Sequence, residues 1–84
     1  MTYNVIVLKK VQKELNKLNS KIYARIYAAL EGIAANPFIG KNLAGEYAHL
    51  WSHRVWPYRI IYDIQQKELI VLVVKVGHRQ GVYK

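Results

Sequence analysis

The sequence predicts an α+β fold in the order β-α-α-β-β-β, with a helical hairpin packed on one side of a mostly antiparallel four-stranded sheet. A β-branched run opens the chain. Two stretches of helical periodicity follow and stop at Asn36-Pro37. From Leu50 onward the pattern is that of strands alone.

Tyr3 to Leu8 alternates apolar and polar residues, then becomes continuously apolar, as a first strand does. From Lys9 to Leu18 the period changes. Val11, Leu15 and Leu18 recur at helical spacing, while Lys10, Lys13, Glu14 and Lys17 lie elsewhere on the wheel. Asn19-Ser20 breaks the pattern, and Ser20 is the expected N-cap of a second helix. Ile22, Ile26, Leu30 and Ile33 make one apolar stripe along it, flanked by Tyr23 and Tyr27. That helix is expected to end near Asn36, because proline restricts the residue before it and cannot continue the ladder. Pro37 to Glu46 reads as a loop punctuated by Gly40 and Gly45, carrying Lys41 and Asn42, with Leu43 as an anchor to the core.

Leu50 to Val55 is the next strand, and Trp56-Pro57 marks a turn. In the following strand Tyr58, Ile60, Tyr62 and Ile64 share one face, and Arg59, Ile61 and Asp63 the other. Glu68 to Val76 is nearly continuously apolar, which predicts a strand buried on both faces at the centre of the sheet. Gly77 is expected to end it, leaving a basic, aromatic tail from His78 to Lys84.

With 84 residues, the expectation is one domain spanning 1–84, and 52% hydrophobic residues suffice for a core without disulfides. There is no cysteine, which excludes a disulfide framework, a thiol nucleophile and a cysteine zinc site. Met1-Thr2-Tyr3-Asn4 lacks a basic segment leading into a long apolar one, and the longest apolar run, Leu69 to Val74, is far too short for a bilayer. A soluble, cytoplasmic protein with no membrane partner is therefore expected. Thirteen Lys and Arg face five Asp and Glu, a formal +8, and a field of that sign favours a polyanion.

No metal site is expected. His49 and His53 would share a strand face but stand well apart, with no carboxylate suitably near. There is no phosphate-cradling glycine loop and no Ser-His-Asp order, and the scattered carboxylates do not suit a paired-carboxylate mechanism. What remains is arginine and tyrosine. Arg54 and Arg59 lie in neighbouring strands, and Arg79 and Tyr83 follow the last one. Guanidinium groups bind phosphate in bidentate fashion and stabilise a phosphorane, and nearby cations favour an anionic tyrosine. Such a set can cleave RNA without a cofactor, because the ribose 2′-hydroxyl is itself the nucleophile. Each residue also has a structural reading. Arg59 can pair with Asp63, Tyr83 can cover the sheet edge, and Arg54 can be simply solvated. Tyr58, Tyr62 and Trp51 read as core, and Lys10, Lys13 and Lys17 as a solvated helix face.

The stretch Leu50-Trp51-Ser52-His53-Arg54-Val55-Trp56-Pro57-Tyr58-Arg59-Ile60-Ile61-Tyr62 resembles the central hairpin of the RelE/ParE toxin superfamily. Val76-Gly77-His78-Arg79-Gln80-Gly81-Val82-Tyr83 is similar to that family's C-terminal segment. A first strand leading into a lysine-rich helix, a second helix ending in Asn-Pro, and then Leu43-Ala44-Gly45 match as well, so the resemblance covers essentially the whole chain.

The resemblance implies a toxin of a type II toxin–antitoxin system. Its RelE branch implies a ribosome-dependent mRNA endonuclease, metal-independent and without cofactor. A cognate RelB-like antitoxin, short and helical or partly disordered, would neutralise it, and the complex would bind operator DNA. Arg59, Arg79 and Tyr83 would be catalytic, and Lys41 and Arg54 auxiliary RNA contacts. The ParE branch shares the fold and poisons DNA gyrase; an attenuated homologue acting only with its antitoxin is the other alternative. The sequence departs from the RelE pattern at Ala44 and Ser52, where cations are common, at Trp56, where the hairpin usually has glycine, and at Gly81. Fewer cations imply weaker phosphate stabilisation and slower cleavage. His53 and His78 are the groups that would compensate by binding RNA and moving protons.

Overall fold

The computed structural model describes residues 2–78. Along the chain come β1 (Asn4–Val7), α1 (Lys9–Asn16), α2 (Ser20–Ala35), β2 (Lys41–Asn42), β3 (Leu50–Val55), β4 (Tyr58–Gln65) and β5 (Ile70–His78), with 3-10 turns at Pro37–Ile39 and Gly45–Tyr47. The strands lie in the order β1-β5-β4-β3-β2. β1 runs parallel to β5, and every other pair is antiparallel.

One side of this sheet is covered by the helices. Val11 and Leu15 of α1 and Ile26, Leu30 and Ile33 of α2 are buried against Val55, Ile60, Tyr62, Val71 and Val73. The apolar stripe of the second helix is thus its core-facing side. Removing any one of these side chains from water stabilises the fold by roughly 1.5–3 kcal/mol.

The α+β class and the helical hairpin are as the sequence predicts, but the sheet has five strands rather than four. The additional strand is Lys41–Asn42, inside the segment that reads as a loop. Lys41 pairs with Ser52 and Asn42 with Trp51. The Asn42 side-chain amide donates to the carbonyl oxygens of Ala48 and Leu50, and the Leu43 N–H donates to Leu50. A strand this short has no period of its own; its pairing comes from the long strand beside it.

Three local expectations are also corrected. Asn19, not Ser20, caps α2, its side-chain oxygen accepting from the Ile22 N–H at 3.0 Å. β5 begins at Ile70, because Glu68 and Leu69 form the turn after β4, with Leu69 at φ 55. It also continues through Gly77, which pairs with Arg59. β5 is second from the edge, with β4 in the middle; Val71 and Val73 are fully buried while Ile70, Leu72 and Val74 are half-buried.

Candidate nucleic-acid interface

Residues directly opposite one another in an antiparallel ladder point to the same side of the sheet. Two cross-strand rows follow from the register. Lys41, Ser52, Ile61 and Lys75 form one across β2, β3, β4 and β5. Arg54, Arg59 and Gly77 form the next. The neighbouring rows, Trp51 with Tyr62 and His53 with Ile60, belong to the side that the helices cover. The chain therefore gathers Lys41, Arg54, Arg59 and Lys75 on the opposite side.

A shallow cleft of about 340 Å3 lies there, bounded by Ile39 and Gly40 before β2, by Lys41, and by Ser52, His53, Arg54 and Arg59 on the hairpin. Its wall is fixed by close backbone packing. Pro37 is buried, and its carbonyl oxygen accepts a 2.7 Å hydrogen bond from the Tyr62 hydroxyl. The Asn36 side chain caps the same turn through the Phe38 N–H. Gly40 then passes so near β3 and β4 that a Cβ there would collide with the Tyr62 hydroxyl and stand 2.9 Å from the Ser52 carbonyl oxygen. Burial pushes the Tyr62 hydroxyl above its ordinary value, with the Gly40 backbone hydrogen bond working against it. Tyr62 is thus a core residue whose polar end shapes the cleft from beneath.

No carboxylate neutralises the two arginines among the described residues. Arg59 makes no ion pair with Asp63, so the structural pairing conceivable from sequence does not form; an ion pair does join Lys17 and Glu14, remote in sequence from the cleft. Ser52 is buried at 5% exposure, and its hydroxyl has no hydrogen-bond partner among the described residues.

The two histidines stand apart from the arginines. His53 borders the cleft, but its register opposite Ile60 belongs to the helix-facing side, and burial lowers its pKa. His78 pairs with Tyr58, ring centroids 5.8 Å apart in an edge-to-face contact. Arg79 and Tyr83 lie outside the described residues. The register shift between Ile61 and Tyr62 brings Lys75 opposite Ile61, a cation that the sequence does not single out. Its only sequence signal is a single lysine in the apolar run before Gly77. Among the described residues no group of three or more His, Asp or Glu side chains gathers to hold a metal, and no helix is long and apolar enough to cross a membrane.

A strand-helix-hairpin frame with basic rows on the side away from its helices agrees with what comparison finds. Residues 5–83 match the family described as ParE toxin of type II toxin–antitoxin system, parDE. The chain is 30% identical to Toxin RelG of Mycobacterium tuberculosis over 86 residues, covering 100% of this chain and 99% of that one. Its fold superposes on the crystal structure of the toxin–antitoxin complex RelBE2 from Mycobacterium tuberculosis with a TM-score of 0.85, at 30% identity, covering 94% of this chain and 100% of that one. An archaeal RelE–RelB complex from Pyrococcus horikoshii gives a TM-score of 0.82 at 26% identity, covering 98% and 100%. The chain belongs to the RelE/ParE family and is a toxin of the type II toxin–antitoxin class.

Proposed function

We propose that this toxin cleaves mRNA at the ribosome as a metal-independent endoribonuclease, blocking translation and arresting growth until a cognate antitoxin neutralises it. The observation that carries the reading is Arg54 standing directly opposite Arg59 beside Lys41 at a shallow cleft, with no carboxylate pairing either arginine among the described residues. Such a set suits a phosphodiester backbone. Tyr83 takes the proton from the ribose 2′-hydroxyl. The 2′-oxygen attacks phosphorus while Arg59 and Arg79 stabilise the added charge; the bond to the 5′-oxygen breaks, that oxygen takes a proton from water, and a 2′,3′-cyclic phosphate remains. Lys41 and Arg54 hold the flanking phosphates, and His53 and His78 are peripheral RNA contacts.

In this reading the whole chain, 1–84, acts as one RelE-like unit in the cytoplasm. Its antitoxin is RelB-like, and the complex binds operator DNA. The complexes described as RelBE2 and RelE–RelB support such a partner. The test expresses the chain without antitoxin. The parent arrests growth and cuts ribosome-bound mRNA, and Arg59→Ala, Arg79→Ala and Tyr83→Phe each lose cutting. Unchanged cutting in the Arg79→Ala and Tyr83→Phe variants rejects the mechanism.

The match to the ParE description favours a second reading, inhibition of DNA gyrase. Growth arrest with intact mRNA and accumulating DNA breaks identifies it. No arrest at all identifies an attenuated homologue that acts only with its antitoxin.

A further inference from the structure

The tip of the β3–β4 hairpin carries Trp56 at 52% exposure. A single exposed apolar residue needs no explanation by itself. The setting of this one is different. Trp56 directly follows the Val55·Tyr58 pair, and the pair before that is Arg54·Arg59. Two residues along a strand span about 7 Å. The indole is therefore attached within one nucleotide's reach of the paired arginines. Arg25 of α2 donates a 2.8 Å hydrogen bond from its guanidinium to the Trp56 carbonyl oxygen, so the tip is tied to the helical layer. The next residues inward, Tyr58 and His78, form the edge-to-face ring pair. That ring pair lies on the helix-facing side, and Trp56 is the residue that stands beside the paired arginines at this end of the hairpin.

Grooves that bind single-stranded nucleic acid combine cations along the backbone with ring faces for the bases. We propose that Trp56 is a base-stacking platform, receiving a nucleobase of the single-stranded RNA whose phosphate lies at Arg54 and Arg59. A purine presents the larger face and is the preferred occupant. This rests on the reading of the cleft as an RNA-phosphate site and adds a determinant of sequence preference. Because the indole stands where resembling hairpins usually carry glycine, the preference is particular to this chain.

The experiment measures binding of the full chain to a short 2′-O-methyl RNA, which cannot be cleaved, and to an abasic oligomer with the same backbone, at fixed salt. Trp56→Ala is expected to weaken RNA binding about 10-fold, the effect of losing one stacked base, and to leave the abasic oligomer unchanged. Trp56→Phe retains most of the affinity, and purine oligomers bind more tightly than pyrimidine ones to the parent and to Trp56→Phe but not to Trp56→Ala. Equal weakening for both oligomers makes Trp56 merely structural and overturns the proposal. No effect of Trp56→Ala while Arg59→Ala weakens both ligands also overturns it, yet leaves the phosphate reading intact. No effect of either variant overturns both. Should Trp56→Ala fail to fold, tryptophan emission of the parent decides. RNA, and not the abasic oligomer, must quench a component that Trp56→Phe lacks, and absence of that component rejects the proposal.

Discussion

Arg54 and Arg59 stand directly opposite one another across the β3–β4 ladder, with no carboxylate paired to either among the described residues. Like charges in this relation destabilise a sheet, by up to about 1 kcal/mol and by less where solvent screens them. The arrangement therefore opposes stability and favours an anionic ligand. Arg54→Gln is expected to raise the unfolding midpoint slightly in dilute salt and to weaken RNA binding. The stability gain disappears above about 0.5 M salt, where screening lengths fall to a few ångströms. Denaturation of parent and variant at two salt concentrations checks this. A loss of stability in the variant at low salt would show that packing of the Arg54 side chain outweighs the repulsion.

The Tyr62 hydroxyl and the Pro37 carbonyl are the buried polar pair beneath the cleft. Tyr62→Phe leaves that carbonyl without its donor, at a cost of roughly 1–3 kcal/mol. Gly40→Ala introduces a Cβ into the Tyr62 hydroxyl and costs a similar or greater amount through overpacking. Urea unfolding measures both. Burial also raises the Tyr62 pKa from 10.0. Its linked stability is complete below pH 10 and is lost as pH rises through the folded pKa. Tyr62→Phe is accordingly less stable at neutral pH but shows a smaller further loss under alkaline conditions.

Much of this frame was legible because long elements announce their period. Ile26, Leu30 and Ile33 read as one stripe and form one, and the Leu50–Val55 strand has the boundaries its residues predict. Lys41–Asn42 was not legible, because a two-residue strand takes its structure from Trp51 and Ser52. Lys75 was hidden for a related reason. Strict alternation cannot reveal the shift that brings it opposite Ile61, and so beside the cationic side. At the site, Arg54 and Arg59 follow from hairpin register alone, whereas the separation of His53 and His78 from them requires knowing which side the helices cover.

His53 makes stability depend on pH in the mildly acidic range. Burial lowers its pKa from 6.5, so the folded chain binds this proton less readily than the unfolded chain. The associated stability is present above pH 6.5 and is lost as pH falls from there through the folded pKa. His53→Gln removes that titration. Its stability is expected to be flatter than the parent's between neutrality and mild acid, as followed by thermal melts across that interval. Parallel curves for the two proteins would place the pH dependence elsewhere.

Ser52 offers the most direct test of how the cleft is held. Its hydroxyl is buried without a partner among the described residues, between Lys41 and Ile61 in the same row. An unsatisfied buried hydroxyl carries a desolvation penalty, commonly about 1–3 kcal/mol, that its removal relieves. Ser52→Ala leaves the backbone pairing with Lys41 and Ile61 in place and is expected to be as stable as the parent or up to about 1 kcal/mol more stable. Ser52→Lys puts a cation into that buried position beside Lys41, Arg54 and Arg59. It is expected to lower stability in dilute salt and to recover on adding polyanion, since a ligand that binds only the folded state stabilises it. Melting curves for the two variants with and without a short RNA separate these effects. A clear loss of stability in Ser52→Ala would mean that the hydroxyl is hydrogen-bonded in solution, for instance to water, and that its burial is not a cost the fold bears.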